Sequence, residues 1–260
     1  MLTSRERRLQ SHLEEFITPR RRRRMKSVLA ERTRYIICVL EDLYDPRNGS
    51  AVIRHCDALG IQEVHAVENR STFRSDEQVD MGSAQWLDLK IHPITDSIPR
   101  SVKARRGCPD IPPSNTPGVL ESLKRRGYRI IATTPHAEGN AVPETLNLAS
   151  APLAIVFGSE KHGVSPEVKA AADEFLRVPM LGFVESLNIS ACAAICLYVI
   201  TRRLRSENLP WPLTPRDAEE IYFRWVCSSA PHSEQLTRRF LTSPPEPSES
   251  DRSSRGPHSE

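Results

Sequence analysis

Short runs that are apolar or β-branched at almost every position constrain this chain most. Tyr35–Leu40 (YIICVL), Tyr128–Thr133 (YRIIAT) and Leu153–Phe157 (LAIVF) show no polar alternation. A strand of that kind hides both faces, which happens where helices cover both sides of a parallel sheet. Further strands are predicted at Gln62–Val67, Leu87–His92 and Phe175–Val178, with His65 read as a core or edge histidine rather than a ligand. Helical patterns fall between them: Ser50–Leu59 closed by Gly60, Gly118–Gly127, and a segment opened by Ser165–Pro166–Glu167, which offers a cap, a proline at the first helical position and an acid near the dipole. Strand and helix in alternation predict an α/β fold, a mostly parallel sheet flanked by helices.

The turns carry the polar chemistry. Asp45–Pro46 stops the first strand, Asn48–Gly49 permits unusual backbone angles, and Ser50 is placed to cap the helix that follows. The stretch Ile155–Arg205 sets the longest nearly unbroken apolar run between turns rich in Gly, Ser, Asn and Pro, and irregular backbone there leaves amides and carbonyls for a ligand. Thr133–Thr134–Pro135 ends a strand where an open α/β sheet places its ligand. YDPRNGSA holds one glycine, so a dinucleotide site is not expected; Walker A, nucleophile-elbow and H-E-x-x-H sequences are absent. Ile189–Ile200 is too short to span a bilayer and reads as a buried helix.

Charge is uneven. Residues 1–34 hold eleven Lys or Arg against four Asp or Glu, a net of +7, which leaves −4 for the remainder of a chain whose total is +3. Within that arm Leu9, Leu13 and Phe16 form a weak helical stripe, Pro19 interrupts, and Arg20, Arg21, Arg22, Arg23, Arg24 and Lys26 follow. Two readings stay open there, a solvated arm and a phosphate-binding one, since guanidinium forks match phosphate oxygens. Cysteines 38, 56, 108, 192, 196 and 227 form no C-x-x-C pair, which suits reduced thiols in a cytoplasmic protein. Cys192 and Cys196 share a helix face without a His or further Cys, so packing is expected and no metal. The N-terminus shows no signal peptide, and no membrane partner is expected. A Pro-rich surface insertion is predicted at 98–117, a terminal helix at 214–227 with Ile221, Trp225 and Val226 inward, and a disordered tail at 243–260.

Three ordered segments resemble one family. NGSAVIRHCDALG is similar to the first motif of the SpoU group of SPOUT RNA 2′-O-methyltransferases, IVFGSEKHGVS to the second and VPMLGFVESLNISACAA to the third. The likeness spans about residues 20–230. It implies an α/β domain over 35–205 closed by a deep trefoil knot, a basic RNA-binding arm over 1–34, a C-terminal helical extension over 206–242, S-adenosylmethionine as cofactor and a homodimer. Within the group the chain most resembles members that methylate guanosine 18 of the tRNA D-loop. Ribosomal RNA as substrate, and a non-catalytic RNA-binding relative of the same fold, are the alternatives.

Residue by residue, the resemblance assigns Asn48 and Arg54 to the catalytic positions of the first motif, Glu160 to the acid of the second, and Ser186 and Asn188 to the polar pair of the third. Thr133, Gly158, Val178, Leu181, Gly182 and Leu187 fall at cofactor-contact positions. Each has a plainer reading too: Ser186 as a helix cap, Asn48 as a turn former, Glu160 as a surface charge and Arg54 as a solvated helix residue. One departure stands out, Glu185 in FVESLN, where glutamine is usual; a carboxylate there would repel RNA phosphate or alter guanosine recognition.

Overall fold

A computed structural model describes residues 1–74, 76–93, 114–135 and 141–242. Most of the Pro-rich insertion and all of the tail from 243 lie outside the described residues. The chain divides into two compact units, Ala30–Leu213 and Met1–Leu29 with the chain from Thr214. In chain order the helices are α1 Ser4–Glu14, α2 Pro19–Leu29, α3 Pro46–Leu59, α4 Glu77–Asp80, α5 Thr116–Arg125, α6 Pro166–Ala171, α7 Ile189–Ser206, α8 Pro215–Ser229 and α9 Ser233–Thr242. The strands are β1 Thr33–Glu41, β2 Ile61–Val67, β3 Asp88–His92, β4 Arg129–Thr133, β5 Leu153–Phe157 and β6 Glu174–Leu176.

The six strands of the larger unit form one sheet in the order β3-β2-β1-β5-β4-β6, every pair parallel. The unbroken apolar runs predict this, because β1 divides its side chains between two cores. Ile36, Cys38 and Leu40 join a cluster with Val52 and Cys56 of α3 and Ala193, Leu197 and Ile200 of α7. Ile37 and Val39 join the opposite cluster with Leu120 and Leu123 of α5 and Val168 of α6. Phe157 at the end of β5 is fully buried, and truncating such a ring costs about 3–5 kcal/mol.

Local signals place the helix starts. Ser165 caps α6 through a hydrogen bond from the Val168 amide at 3.2 Å, with Pro166 at the first helical position as its sequence requires. At α3 the expectation is corrected. The helix starts at Pro46 rather than Ser50; Asp45 is the cap, accepting from the Arg47 amide at 2.9 Å. Asn48 and Gly49 therefore lie inside the first turn with ordinary helical backbone, and Ser50 is buried, its hydroxyl oxygen accepting from the Asp76 amide at 2.6 Å.

One buried carboxylate organises the β2–β3 end of the sheet. Glu63 accepts from both terminal nitrogens of Arg126 at 2.6 and 2.9 Å, from Lys90 at 2.7 Å, and pairs with His65 Nε2 at 2.8 Å. Burial opposes its ionisation, yet hydrogen bonds from His65, Arg126 and Lys90 outweigh burial and hold the carboxyl far below the usual carboxylate range. His65 is thus a core histidine, its other ring nitrogen 3.0 Å from His92.

In the smaller unit α8 packs on α1, α2 and α9. Leu9, Leu13, Met25, Ile221, Trp225 and Val226 are buried, as the terminal-helix pattern predicts, while Phe16 is 44% exposed and its place in the stripe is taken by buried Ile17. Arg20, Arg21, Arg23 and Arg24 are exposed on α2. Arg22 lies 3.8 Å from Glu14, and Lys26 sits 5.5 Å over the Tyr222 ring.

Candidate active site

The strands all run the same way, so the turns after β1, β4, β5 and β6 gather along one edge of the sheet. The turn after β5 doubles back on itself: Ser159 and Gly163 exchange two backbone hydrogen bonds at 3.0 and 2.8 Å. Gly158 sits beneath that closure. A Cβ there would lie 2.2 Å from the Gly163 carbonyl carbon and 2.3 Å from the Val164 nitrogen, so no other residue fits without moving backbone.

The closed turn holds Glu160 out toward α3. Asn48 Nδ2 donates to Glu160 Oε1 at 2.6 Å, Tyr44 N donates to Glu160 Oε2 at 3.2 Å, and Asn188 Nδ2 donates to Asn48 Oδ1 at 3.1 Å. Direction in this chain follows from chemistry. An ionised carboxylate only accepts, so it draws the Asn48 amide nitrogen; the Asn48 oxygen then draws the nitrogen of Asn188. The Asn188 oxygen is left to cap α7, accepting from the Ser190 amide at 2.9 Å and its hydroxyl at 2.6 Å. Three residues separated by up to 140 positions are thereby set in one line.

Beside this line opens a cavity of about 490 Å³. Thr133, Gly158, Val178 and Leu187 line it, together with Ser186, Glu160 and Asn188. Leu181 and Gly182, assigned to the same ligand by the motif, are exposed and do not line it. Glu185 does, which brings its carboxylate to the wall. Arg54 is exposed on α3, six residues and roughly 9 Å of helix beyond Asn48. It has no hydrogen bond or ion pair among the described residues, and the structure does not join it to the Glu160–Asn48–Asn188 line. Burial, then the charge of Arg54, lowers the pKa of neighbouring His55.

Cys192, read from sequence as a packing residue, packs against the core and also lines the cavity one turn into α7. Tyr44, which sequence reading passed over, is exposed just before Asp45. Cys192 follows Asn188 by one helical turn, so its placement was available from the cap; nothing in the pattern marks Tyr44. A hydrogen bond to Cys192, then burial, keeps Cys196 a thiol. Among the described residues no group of three or more His, Cys, Asp or Glu could hold a metal, and no helix is long and apolar enough to cross a membrane.

A family model described as the SpoU rRNA Methylase family matches residues 35–198, the stretch that builds the sheet, the closed turn and the cavity. The chain belongs to that family. Among SpoU relatives, the tRNA (guanosine(18)-2'-O)-methyltransferase of Borreliella burgdorferi is 32% identical over 231 residues, covering 86% of this chain and 94% of that one. The crystal structure of the A. aeolicus TrmH/SpoU tRNA modifying enzyme superposes with a TM-score of 0.65 at 25% identity, covering 80% of this chain and 96% of that one. A further SpoU methyltransferase, AviRb from Streptomyces viridochromogenes in complex with the cofactor AdoMet, shares the fold at a TM-score of 0.50 and 20% identity, over 68% of this chain and 64% of that one.

Proposed function

We propose that the protein transfers the methyl group of S-adenosylmethionine to a ribose 2′-hydroxyl of tRNA, at guanosine 18 of the D-loop. The observation that carries this reading is the hydrogen-bonded line Glu160–Asn48–Asn188 at the mouth of the cavity. Motif residues from three distant segments meet there in one geometry, in a family of methylases.

The cavity suits the cofactor by its chemistry. Val178 and Leu187 offer apolar contact for a ring, Thr133 and the backbone of the turns offer polar contacts, and the closure over Gly158 brings main chain to the wall. When bound, the cofactor supplies an electrophilic methyl on a sulfonium. The residues of this chain prepare the acceptor. Glu160 fixes Asn48, and Asn48 and Asn188 present amide groups to the ribose. The guanidinium of Arg54 bridges the RNA phosphate and the 2′-oxygen and stabilises the negative charge that develops as the hydroxyl proton passes to solvent water. Ser186 holds the ribose or Arg54 across a subunit interface.

That interface belongs to the same reading. Leu181 is 102% and Phe183 110% exposed, and Ile195 and Tyr198 are exposed on α7, an apolar surface suited to a second copy of the chain. A homodimer would bring an Arg54 from one protomer to the cavity of its partner. The deep trefoil knot over the end of the 35–205 domain is part of the proposal and rests on the family resemblance. So are the RNA-binding role of the arm over 1–34, through Arg20–Arg24 and Lys26, and a cytoplasmic location.

The test is a methylation assay with labelled S-adenosylmethionine on tRNA and ribosomal RNA, followed by mapping of the methylated nucleotide, with calorimetry of cofactor binding and sedimentation of the free protein. Label at guanosine 18, cofactor heat and a dimer are expected. Label confined to ribosomal RNA would sink the substrate, and absence of cofactor heat would sink the enzyme.

A further inference from the structure

A second cavity, of about 720 Å³, lies along the same edge of the sheet, on the far side of the Ser159–Val164 turn from the first. Glu41 and Asp42 at the end of β1 form one wall, and the turn after β5 forms another. After β1 the chain winds outward to β2 and β3, then crosses to β4 and β5 on the other side of β1. The cavity thus stands at the switch point of the sheet, where open α/β folds take their ligands. Asn48 and Glu160 are shared with the catalytic line, so whatever fills the cavity touches the same side chains as the ribose.

Its lining has a definite chemistry. Tyr44 is 81% exposed, and its backbone amide is tied to Glu160 at 3.2 Å, which holds its main chain beside the turn and leaves the aromatic ring bare. Asp45 spends Oδ1 on the Arg47 amide and leaves Oδ2 without a partner among the described residues. Asp42, held at φ 53°, spends Oδ1 on the amides of Asn69, Arg70 and Ser71. That left-handed backbone is uncommon away from glycine, and it is maintained here by three donors. The Arg70 guanidinium is exposed and has no partner among the described residues. A planar ligand with two adjacent donors on one edge and acceptors on another would satisfy this set; a guanine base has N1–H and the 2-amino group on one side and O6 and N7 on the other.

We propose that this cavity receives the base of the nucleotide whose ribose is methylated, with Tyr44 stacked on the base and the free carboxylate oxygen of Asp45 accepting from its N1–H and 2-amino edge. The assignment rests on the reading of the first cavity as the cofactor site. It explains how one enzyme holds both substrates at once: a single turn, with Glu160 at its tip, divides them. Adenine would turn a lone pair toward Asp45 in place of N1–H, so the pocket discriminates between purines by an unmatched acceptor.

Steady-state methylation of tRNA transcripts tests the assignment, using guanosine, inosine or adenosine at the target position. Tyr44→Ala is expected to raise KM for tRNA by roughly tenfold or more while leaving cofactor affinity unchanged, because a stacking platform is lost. Tyr44→Phe, which keeps the ring, is expected to restore most of that affinity. Asp45→Asn keeps a capping oxygen for α3 and is expected to narrow the preference for guanosine over inosine, which lacks the 2-amino group. A wild-type KM in Tyr44→Ala, or an undiminished guanosine preference in Asp45→Asn, would overturn the assignment while leaving the methyltransferase reading intact. A wild-type protein inactive on every transcript would bring down that reading, and the base site with it.

Discussion

Glu63 and Glu160 are two carboxylates of the larger unit whose surroundings differ in kind. Glu63 is buried and ringed by Arg126, Lys90 and His65. Glu160 is exposed and, among the described residues, is held by two uncharged donors, an asparagine amide and a backbone N–H. A carboxylate saturated by cations has its charge consumed in joining strands, and its role is architectural. On the proposed mechanism, Glu160 uses its position to orient Asn48.

Substitutions can break or sharpen that contrast. On the proposed mechanism Arg54→Ala has the largest effect, a fall in methylation rate of roughly 100- to 1,000-fold with cofactor affinity and melting temperature unchanged; a wild-type rate on tRNA would remove Arg54 from the chemistry. Glu63→Gln leaves Arg126 and Lys90 without their shared partner and is expected to cost on the order of 3 kcal/mol in denaturant unfolding, with the cofactor affinity of the folded enzyme unaltered. The sign with pH follows from the lowered carboxyl. Glu63 contributes stability that is present above about pH 4.3, the ordinary glutamate value, and is lost as pH falls toward its folded value; Glu63→Gln should therefore flatten the acid limb of a stability profile. Unchanged acid sensitivity would show that other carboxylates dominate it.

Smaller effects probe the periphery. Replacing Arg20, Arg21, Arg23 and Arg24 together by glutamine should shallow the dependence of log affinity for tRNA on log salt by about three units, because four exposed cations no longer displace counterions. An unaltered slope in a filter-binding titration would assign the arm to solvent. Asn188→Ala removes the cap of α7 and is expected to cost about 1 kcal/mol in stability. It also frees Asn48, so a rate loss beyond what the stability change explains would mark Asn188 as part of the catalytic line.

Much of the fold was legible in one dimension. Leu153–Phe157 is a strand at its predicted limits, and Ser165 caps α6 as read, because both signals are local. The start of α3 was misplaced for a physical reason: Asp-Pro can end a strand or cap a helix with proline at its first position, and the choice depends on how β1 leaves the sheet. The joining of α1 and α2 with α8 and α9 in one unit left no mark in the pattern, since apolar stripes report burial and not partners. At the site, Asn48, Glu160 and Asn188 were marked only by family motifs; that they touch emerges from the parallel sheet and the turn closed over Gly158. Tyr44 carries no motif, and its significance comes from exposure, which a sequence does not display.

The double employment of Asn188 has a consequence for temperature. Its oxygen holds the first turn of α7 while its nitrogen holds Asn48, so the end of one helix and the alignment of the Glu160–Asn48–Asn188 line are a single event. Helix ends loosen well below the temperature at which cores melt. On the proposed mechanism, fraying of that single turn disturbs Asn48 before the core melts, so a stronger cap gains activity at high temperature together with its own share of stability.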